Sequence, residues 1–525
     1  MSKSTSSSSK PILTVAEKQA LRDWLVLHEF RANPFDVRVA EHEAKREPYL
    51  HTYFISTPYY DEIREAQTLI VYASRGCGKS AHRIMVARDC RPYNPSSTTL
   101  GVEYTSFGNL AEWVKNGRPL TAGDHIRLIL DRATLTLVET LANDVNLAKC
   151  LSGKGLQRLR WFWDTFCPVA QDQVWFTDQL HAATGAIPVY DWRAFDQAYA
   201  SRQLTVLFES QAQQWKPAGR FWLALADAPP AAIDENSRSP LFLWQSFMRL
   251  VRQAGLTDVC ILIDEVDERP PLTDNPDFMA DFLAPLLADL DIMEADDTAF
   301  KLFLPADLQT ELHRRPGVRI DRLPTRSIVW NDESLAELLR QRLVVFSDTR
   351  VSDFEELCEP DCGALLHTNL IKTASEVPRN LIELCDSLIV THARRQAAQP
   401  TEPVRPLLTW QEWETIQSDW KAGMQSSVIT GVPLLRFDKA TGRIRVGARE
   451  SVLTGRLLEL FSVLYDNAGE VVENEDLIDI FDGDSALRRV LSRLRDLIEP
   501  KGADEPIYLA TVRGRGVQLN HVAKR

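Results

Sequence analysis

Residues 68–80 of this chain read TLIVYASRGCGKS. The apolar run at 68–72 predicts a buried strand and residues 81–88 predict a helix, so the segment between them is a tight strand-to-helix loop. Such a loop turns its backbone N–H groups inward around an anion at the N-terminus of the helix. The pattern is that of a phosphate-binding loop, in which Lys79 reaches the β- and γ-phosphates and the Ser80 hydroxyl joins the shell of a Mg²⁺ ion.

The small residues of this loop have a steric reason. A Cβ atom at Gly76 or Gly78 would hold the backbone away from the phosphates. Ala73 stands where glycine is usual, and alanine is the mildest change available there. We therefore expect the whole loop to bind ATP, and its residues are Ala73, Ser74, Arg75, Gly76, Cys77, Gly78, Lys79 and Ser80.

Composition narrows the class of protein. A length of 525 residues suggests about three domains. The net charge of −13 argues against a chain that coats nucleic acid indiscriminately. The chain has no apolar run long enough for a membrane helix, and the serine-rich residues 1–12, expected to be a disordered tail, lack the apolar segment of a secretory signal. With its cysteines scattered, the sequence predicts a cytoplasmic protein without a membrane partner.

A second signal follows the apolar residues 259–263, which predict a buried strand ending in Asp264 and Glu265. In a P-loop ATPase, Asp264 would hold Mg²⁺ together with Ser80, and Glu265 would orient and deprotonate the attacking water. The alternative is a solvated strand end, since apolar strands that end in acidic residues are common at surfaces. Further strands are predicted at 53–55, 98–107, 300–304 and 327–330.

With these two motifs, the chain resembles the AAA+ ATPases, in particular the branch of origin-recognition-type initiators and related bacterial ATPases. The resemblance covers about residues 33–395. It implies an α/β fold with a parallel sheet and helices on both faces, and with ATP and Mg²⁺ as cofactors. The expected domains are an ATPase core at 13–330, with a helical insertion at about 109–235, and a helical lid at 331–396.

The same resemblance implies three further sites. The family's asparagine after the next strand is absent here, and Asp307 is the candidate that replaces it as a γ-phosphate sensor. Arg319 and Arg322 are candidates for the finger that reaches a neighbouring subunit's nucleotide, with an ordinary surface cation as the alternative. In Val377-Pro378-Arg379-Asn380, Pro378 suits a first helical turn. Arg379 is then the lid arginine that acts in catalysis beside Lys79 and Glu265.

The C-terminal part begins after a linker and connecting helix at 397–430. Strands are predicted at 434–438 and 443–446, helices at about 454–464, 477–481 and 485–498, and a hairpin at 508–519. This region, 431–525, resembles the winged helix-turn-helix domain of OmpR-type response regulators. The resemblance implies DNA contacts by Arg488, Arg489, Ser492, Arg493 and Arg495 on the helix and by Arg513 and Arg515 at the hairpin tip. Docking of another protein is the alternative.

Three functions follow from the sequence. The first is an ATP-driven AAA+ switch that sets the state of a DNA-binding winged helix, with a homo-oligomer or an effector protein as partner. Such fusions also occur among bacterial genome-conflict and phage-defence proteins. The second is an ATP-responsive transcription regulator with slow or no hydrolysis. The third is a nucleotide-stabilised scaffold that binds proteins only.

Overall fold

A five-stranded parallel sheet is the centre of the first part of the chain in a computed structural model. The strands are β1 (Leu69–Ala73), β2 (Thr99–Tyr104), β3 (Asp258–Ile263), β4 (Thr298–Pro305) and β5 (Thr325–Ser327), in the order β2-β3-β4-β1-β5. Parallel sheets need cover on both faces, and β1 and β4 are buried along their whole length. The predicted α/β class is therefore confirmed.

The structure describes residues 13–37, 39–168, 173–184, 192–212, 215–233, 239–273, 275–398, 406–427, 435–439, 442–446, 449–467, 471–473, 477, 484–499, 508–512 and 516–519. The tail predicted at 1–12 lies outside them. The chain divides into two units, Met1–Trp413 and Glu414–Arg525. Within the described residues, no helix is both long and apolar enough to cross a bilayer.

The helices before the insertion and within it are α1 (Val15–Leu27), α2 (Ala40–Glu43), α3 (Tyr60–Arg64), α4 (Lys79–Asp89), α5 (Leu110–Lys115), α6 (Ala122–Asn143), α7 (Val145–Cys150), α8 (Gly153–Phe166), α9 (Gln173–Thr184), α10 (Trp192–Ser201), α11 (Leu204–Leu207), α12 (Glu209–Ala212) and α13 (Pro217–Asp227). Helix α6 begins with a capping box between Thr121 and Asp124, and its buried face packs on β2. One apolar core runs from the sheet into these helices and includes Leu130, Trp163 and Trp244.

The remaining helices of this unit begin between residues 240 and 410. They are α14 (Pro240–Gln253), α15 (Pro276–Ala288), α16 (Leu290–Met293), α17 (Leu308–His313), α18 (Asp332–Phe346), α19 (Gly363–Ala374) and α20 (Pro378–Ala398), and α21 (Trp410–Ser427) begins here. Helix α1 packs along α20, and its Trp24 donates Nε1–H to the Pro406 carbonyl at 2.9 Å. A buried His392–Glu412 contact of 3.0 Å joins α20 to the start of α21.

The strand predicted at 53–55 is wrong. Residues 54–57 lie outside any helix or strand. The Phe54 ring packs against Tyr60 and His82, with centroids 5.1 and 5.0 Å apart. The aromatic residues that favour a strand here instead cover the side of α4, because burial on a helix rewards the same residue types.

The second unit contains two three-stranded sheets. Its elements are β6 (Leu435–Asp438), β7 (Arg443–Val446), β8 (Arg449–Val452), α22 (Arg456–Asp466), β9 (Val471–Glu473), α23 (Asp484–Ile498), β10 (Leu509–Val512) and β11 (Gly516–Leu519). Strands β6, β7 and β8 are antiparallel neighbours, and β11 lies between β9 and β10. Buried Leu460, Phe461, Leu491 and Leu494 bring the two helices together. The helices predicted at 454–464 and 485–498 and the hairpin are confirmed as elements, and the helix predicted at 477–481 lies, apart from Leu477, outside the described residues.

Candidate functional site at the carboxyl edge of the sheet

The loop at residues 74–78 (the P-loop) joins β1 to α4 at the carboxyl edge of the sheet. Gly76 and Gly78 have φ angles of +85° and +89°, a region that favours glycine. Gly78 is the residue just before α4, and Lys79 is the first residue of the helix. The free N–H groups of this helix start therefore lie at the loop, as an anion site requires.

Two groups from outside the sheet hold the P-loop carbonyls. Trp330 donates Nε1–H to the Cys77 carbonyl at 3.0 Å. The backbone N–H of Arg379, at the start of α20, donates to the Gly76 carbonyl at 3.3 Å. The predicted lid arginine is thus in contact with the P-loop.

Gly76 has a second reason to be glycine that the sequence did not show. A Cβ there would lie 3.0 Å from Arg379 Cβ and 3.0 Å from Val377 Cγ1. The close approach is to the α20 segment, in addition to any approach to phosphate. A side chain at Gly76 would therefore push α20 away from the P-loop.

The two predicted metal ligands are adjacent. Asp264 follows β3 and is 1% exposed, and Ser80 is the second residue of α4. Burial raises the pKa of the Asp264 carboxyl, and the Arg83 guanidinium and the Ser80 side chain oppose that rise. Carboxylate and hydroxyl oxygens are the ligands that Mg²⁺ prefers, so this pair fits the ion.

Arg83 is a site residue that sequence reasoning missed. Its side chain is 3% exposed, and Nε donates to Asp264 Oδ2 at 3.1 Å. Its terminal nitrogens pair with Glu103, with Glu41 at 2.7 Å and with Glu265 at 3.8 Å. Burial acts to lower the pKa of Arg83, and the carboxylates outweigh it and raise the pKa. Its position four residues after the P-loop lysine, on the same helix face, is the signal that could have found it.

Each acidic residue of the 264–267 segment is paired with at least one cation. Besides the Asp264–Arg83 pair, Glu265 is bound by Arg269. Asp267 lies 3.2 Å from Lys79 Nζ, with exposed side-chain fractions of 15% and 8%. The Asp267 carboxylate therefore pairs with Lys79 in the position that a nucleotide phosphate would take.

Glu265 has an unusual backbone conformation. Its φ angle is +65°, which is uncommon for a residue with a side chain. Burial raises the pKa of its carboxyl, and the Arg269 and Arg83 guanidinium groups act against the rise. Backbone strain of this kind concentrates at functional sites, where the surrounding structure holds it in place.

His82 supports the P-loop from below. Nδ1 lies 2.9 Å from the Gly78 carbonyl and Nε2 lies 2.8 Å from Thr57 Oγ1. Since a carbonyl only accepts, Nδ1 carries the proton and Nε2 accepts from the threonine hydroxyl. Burial lowers the pKa of His82 to about 4, so the ring is neutral at physiological pH.

The other predicted residues of this unit lie at the surface. Asp307 is exposed, directly after β4 and before α17. Arg319 is exposed and pairs with Asp321 at 3.1 Å, and Arg322 is exposed in the short 3₁₀ helix Ile320–Arg322. Exposure leaves both arginines accessible to a second subunit, which a finger in trans needs.

In the second unit, the face of α23 opposite its buried leucines carries exposed Arg489, Ser492 and Arg493. Arg495 differs, because its Nη2 donates to the Leu509 carbonyl of β10 at 3.2 Å. Arg488 lies on α23 in the described backbone. Arg513 and Arg515, the predicted hairpin contacts, lie outside the described residues.

Compared with known proteins, the chain matches no protein-family model and has no significant match among curated sequences. The class of the protein is therefore given by its own fold and site. It is an α/β protein with a parallel sheet, and a glycine loop, a lysine and a buried carboxylate come together at one edge of that sheet.

Proposed function

We propose that this chain is an AAA+-type ATPase that binds ATP with Mg²⁺ and hydrolyses it. The observation that carries the proposal is the contact between α4 and the acidic segment after β3: Lys79 Nζ lies 3.2 Å from Asp267 Oδ2, and Arg83 Nε donates to the buried Asp264 at 3.1 Å. Two segments distant in sequence thus place a lysine, a hydroxyl and carboxylates beside one helix N-terminus. Ligands of open α/β sheets bind at this carboxyl edge.

The roles of the residues follow from their positions. The P-loop amides and Lys79 would bind the phosphates, and Ser80 and Asp264 would hold Mg²⁺, which would offset the charge on the phosphate oxygens. Once the Glu265 carboxylate has separated from Arg269, it would orient the attacking water and accept a proton from it. Arg379, whose backbone already contacts the P-loop, would bind the γ-phosphate with its guanidinium and so couple nucleotide binding to the position of α20.

The ATPase test uses two variants with matched controls. Lys79→Ala should weaken binding of a fluorescent ATP analogue about 10- to 100-fold, the loss of one charge-assisted contact. Glu265→Gln should keep binding and lower turnover about 10²- to 10⁴-fold, as loss of a general base does. The controls are Lys115→Ala and Glu112→Gln, on an exposed ion pair of α5. Unchanged turnover in both site variants would refute the proposal.

DNA binding by the second unit is the second proposed function. The specific support is the exposed set Arg489, Ser492 and Arg493 on a helix whose other face is buried. Such a face can lie along a DNA groove and contact phosphates. Loss of an arginine should weaken binding at all sequences and reduce the salt dependence by about one unit.

The experiment is an electrophoretic mobility shift with the double variant Arg489→Ala/Arg493→Ala at several salt concentrations. Lys439→Ala is the control, an exposed cation of the same unit that pairs with Asp466. Equal affinity and equal salt slope in the double variant would reject DNA binding by this face. That result would favour the scaffold, in which the second unit docks a protein.

Two parts of the proposal concern regulation. An oligomer that forms with ATP and not with ADP would support fingers at Arg319 and Arg322, and full assembly of their alanine variants would remove those candidates. Binding of ATP with negligible turnover would favour the transcription-regulator alternative.

The role in phage defence rests on the family resemblance. Its test compares phage resistance of cells that carry the wild-type protein with that of cells that carry Lys79→Ala, and the proposal expects resistance to be lost in the variant.

A further inference from the structure

Arg83 occupies the centre of a ring of carboxylates. The four ring members come from three places in the chain: Glu41 on α2, Glu103 on β2, and Asp264 and Glu265 after β3. Four carboxylates so close would repel one another strongly in a buried setting without a cation among them. The Arg83 guanidinium is that cation, and as a side chain it cannot dissociate as a bound metal ion can.

We propose that Arg83 is the positioning residue of the metal site, a built-in cation that holds the acidic edge together and keeps free divalent ions out. The inference rests on the proposed function, because Asp264 is the metal ligand that Arg83 orients. Arg83 Nε donates to Oδ2 of that carboxylate, which leaves Oδ1 for a metal. A metal that arrives with ATP brings phosphate oxygens as further ligands, whereas a free ion would have to displace the guanidinium.

The distances within the carboxylate ring allow a test with Ca²⁺. A guanidinium carbon lies roughly 3.5–4 Å from its acceptors, whereas Ca²⁺ binds oxygens at about 2.4 Å. Each ligand would need to move inward by about 1–1.5 Å to bind Ca²⁺ if the guanidinium were removed. Glu41 and Glu103 are about one-third exposed and can make that move. Ca²⁺ is the suitable probe because its coordination is more tolerant than that of Mg²⁺.

The experiment measures thermal unfolding of the full chain, free of nucleotide, with and without millimolar CaCl₂. Wild type should show no shift, and Arg83→Gln should gain at least about 3 °C with Ca²⁺, since the vacated ring then binds the ion. Arg83→Lys should behave as wild type because it restores the cation. Adding Glu103→Gln to Arg83→Gln should reduce the gain.

Arg342→Gln is the matched control. Arg342 is also buried and bonded, but to a single carboxylate, Glu43, and to the Pro34 carbonyl at 2.6 Å. Its loss creates a similar cavity without a carboxylate ring, so Ca²⁺ should not stabilise this variant. A structural role alone would make both arginine variants equally insensitive to Ca²⁺.

The outcomes are separable. No Ca²⁺ shift in Arg83→Gln, or a shift of the same size in wild type, overturns the inference. If Arg83→Gln is unfolded in chelator, folding on addition of Ca²⁺ supports it and failure to fold with Ca²⁺ overturns it. Wild type that fails to bind the ATP analogue with Mg²⁺ refutes the proposed function instead, whatever the Ca²⁺ result.

Discussion

Replacing Lys301 with methionine should stabilise the protein at neutral pH. Lys301 lies on β4, between Leu69 of β1 and Leu262 of β3, and is fully buried. Among the described residues its Nζ has no hydrogen-bond partner. Burial lowers the pKa of Lys301 from 10.5 to about 8. A shift of this size corresponds to about 3 kcal/mol of lost stability when the lysine is protonated in both states.

The sign of the pH dependence follows from that shift. The unfolded chain holds the Lys301 proton up to about pH 10.5 and the folded chain only up to about pH 8. Stability of the wild type therefore rises with pH between these values, relative to a variant that does not titrate. Lys301→Met should be more stable by about 3 kcal/mol at pH 7 and by about 1.5 kcal/mol at pH 9.5. Methionine adapts to the space that the lysine leaves.

The assay is urea unfolding followed by tryptophan fluorescence at the two pH values. All but Trp420 of the 13 tryptophans precede residue 414, so the signal reports the first unit. A stability difference that does not shrink with pH would refute the reasoning. Destabilisation at pH 7 would mean that the ammonium is paired. Cys260 is the charge that acts most strongly to raise the pKa of Lys301, and Cys260→Ser would test it as the partner.

Three further predictions concern the P-loop. Asp267→Asn frees Lys79 from its carboxylate and removes a negative charge, so binding of the ATP analogue should tighten about tenfold, whereas weaker binding would mean that Asp267 itself serves the nucleotide. Gly76→Ala should lower both melting temperature and ATP affinity. Gly117→Ala, which has a φ of +71° but no atom within 4 Å of its new Cβ, should lose only the backbone cost of about 1–2 kcal/mol. A His82 pKa of about 4, below the unfolded value of 6.5, means that acid favours the unfolded chain, so stability is lost as pH falls below 6.5. Unfolding free energies of wild type and His82→Asn should diverge by about 2 kcal/mol between pH 7 and pH 5, and parallel curves would contradict a buried neutral ring.

Most of the sheet was predictable from the sequence because a parallel strand buried on both faces is an uninterrupted apolar run, but the strand predicted at 327–330 shares only Ser327 with β5 (Thr325–Ser327). Residues 68–72 and 259–263 match β1 and β3 to within a residue. The strand at 53–55 failed because the same aromatic residues can be buried against a helix. Short apolar runs do not carry the information that separates those two outcomes.

Part of the site was predictable and part was not. Ser80 and Asp264 belong to motifs whose pattern implies that they lie at one site, and the Ser80 side chain acts on the pKa of the Asp264 carboxyl. Arg83 lies outside both motifs, and its spacing from Lys79 is the one hint in the sequence. That hint is weak because a charged residue on a helix is most often solvent-exposed. Its burial depends on carboxylates from segments far apart in sequence, Glu41 and Glu103 among them, which only the folded chain brings together.

The three ion pairs at residues 264–267 change how nucleotide binding should be understood. Lys79, Arg83 and Arg269 each already have a carboxylate, so ATP would exchange partners and not fill a set of unpaired charges. Under the proposed function, this exchange would move Lys79 away from Asp267, and hydrolysis would need Glu265 to leave Arg269. Binding and hydrolysis would then require separate rearrangements within one short segment. Such a site would stop at the ATP-bound state until Glu265 is released, which is the behaviour that a switch needs and a metabolic kinase does not.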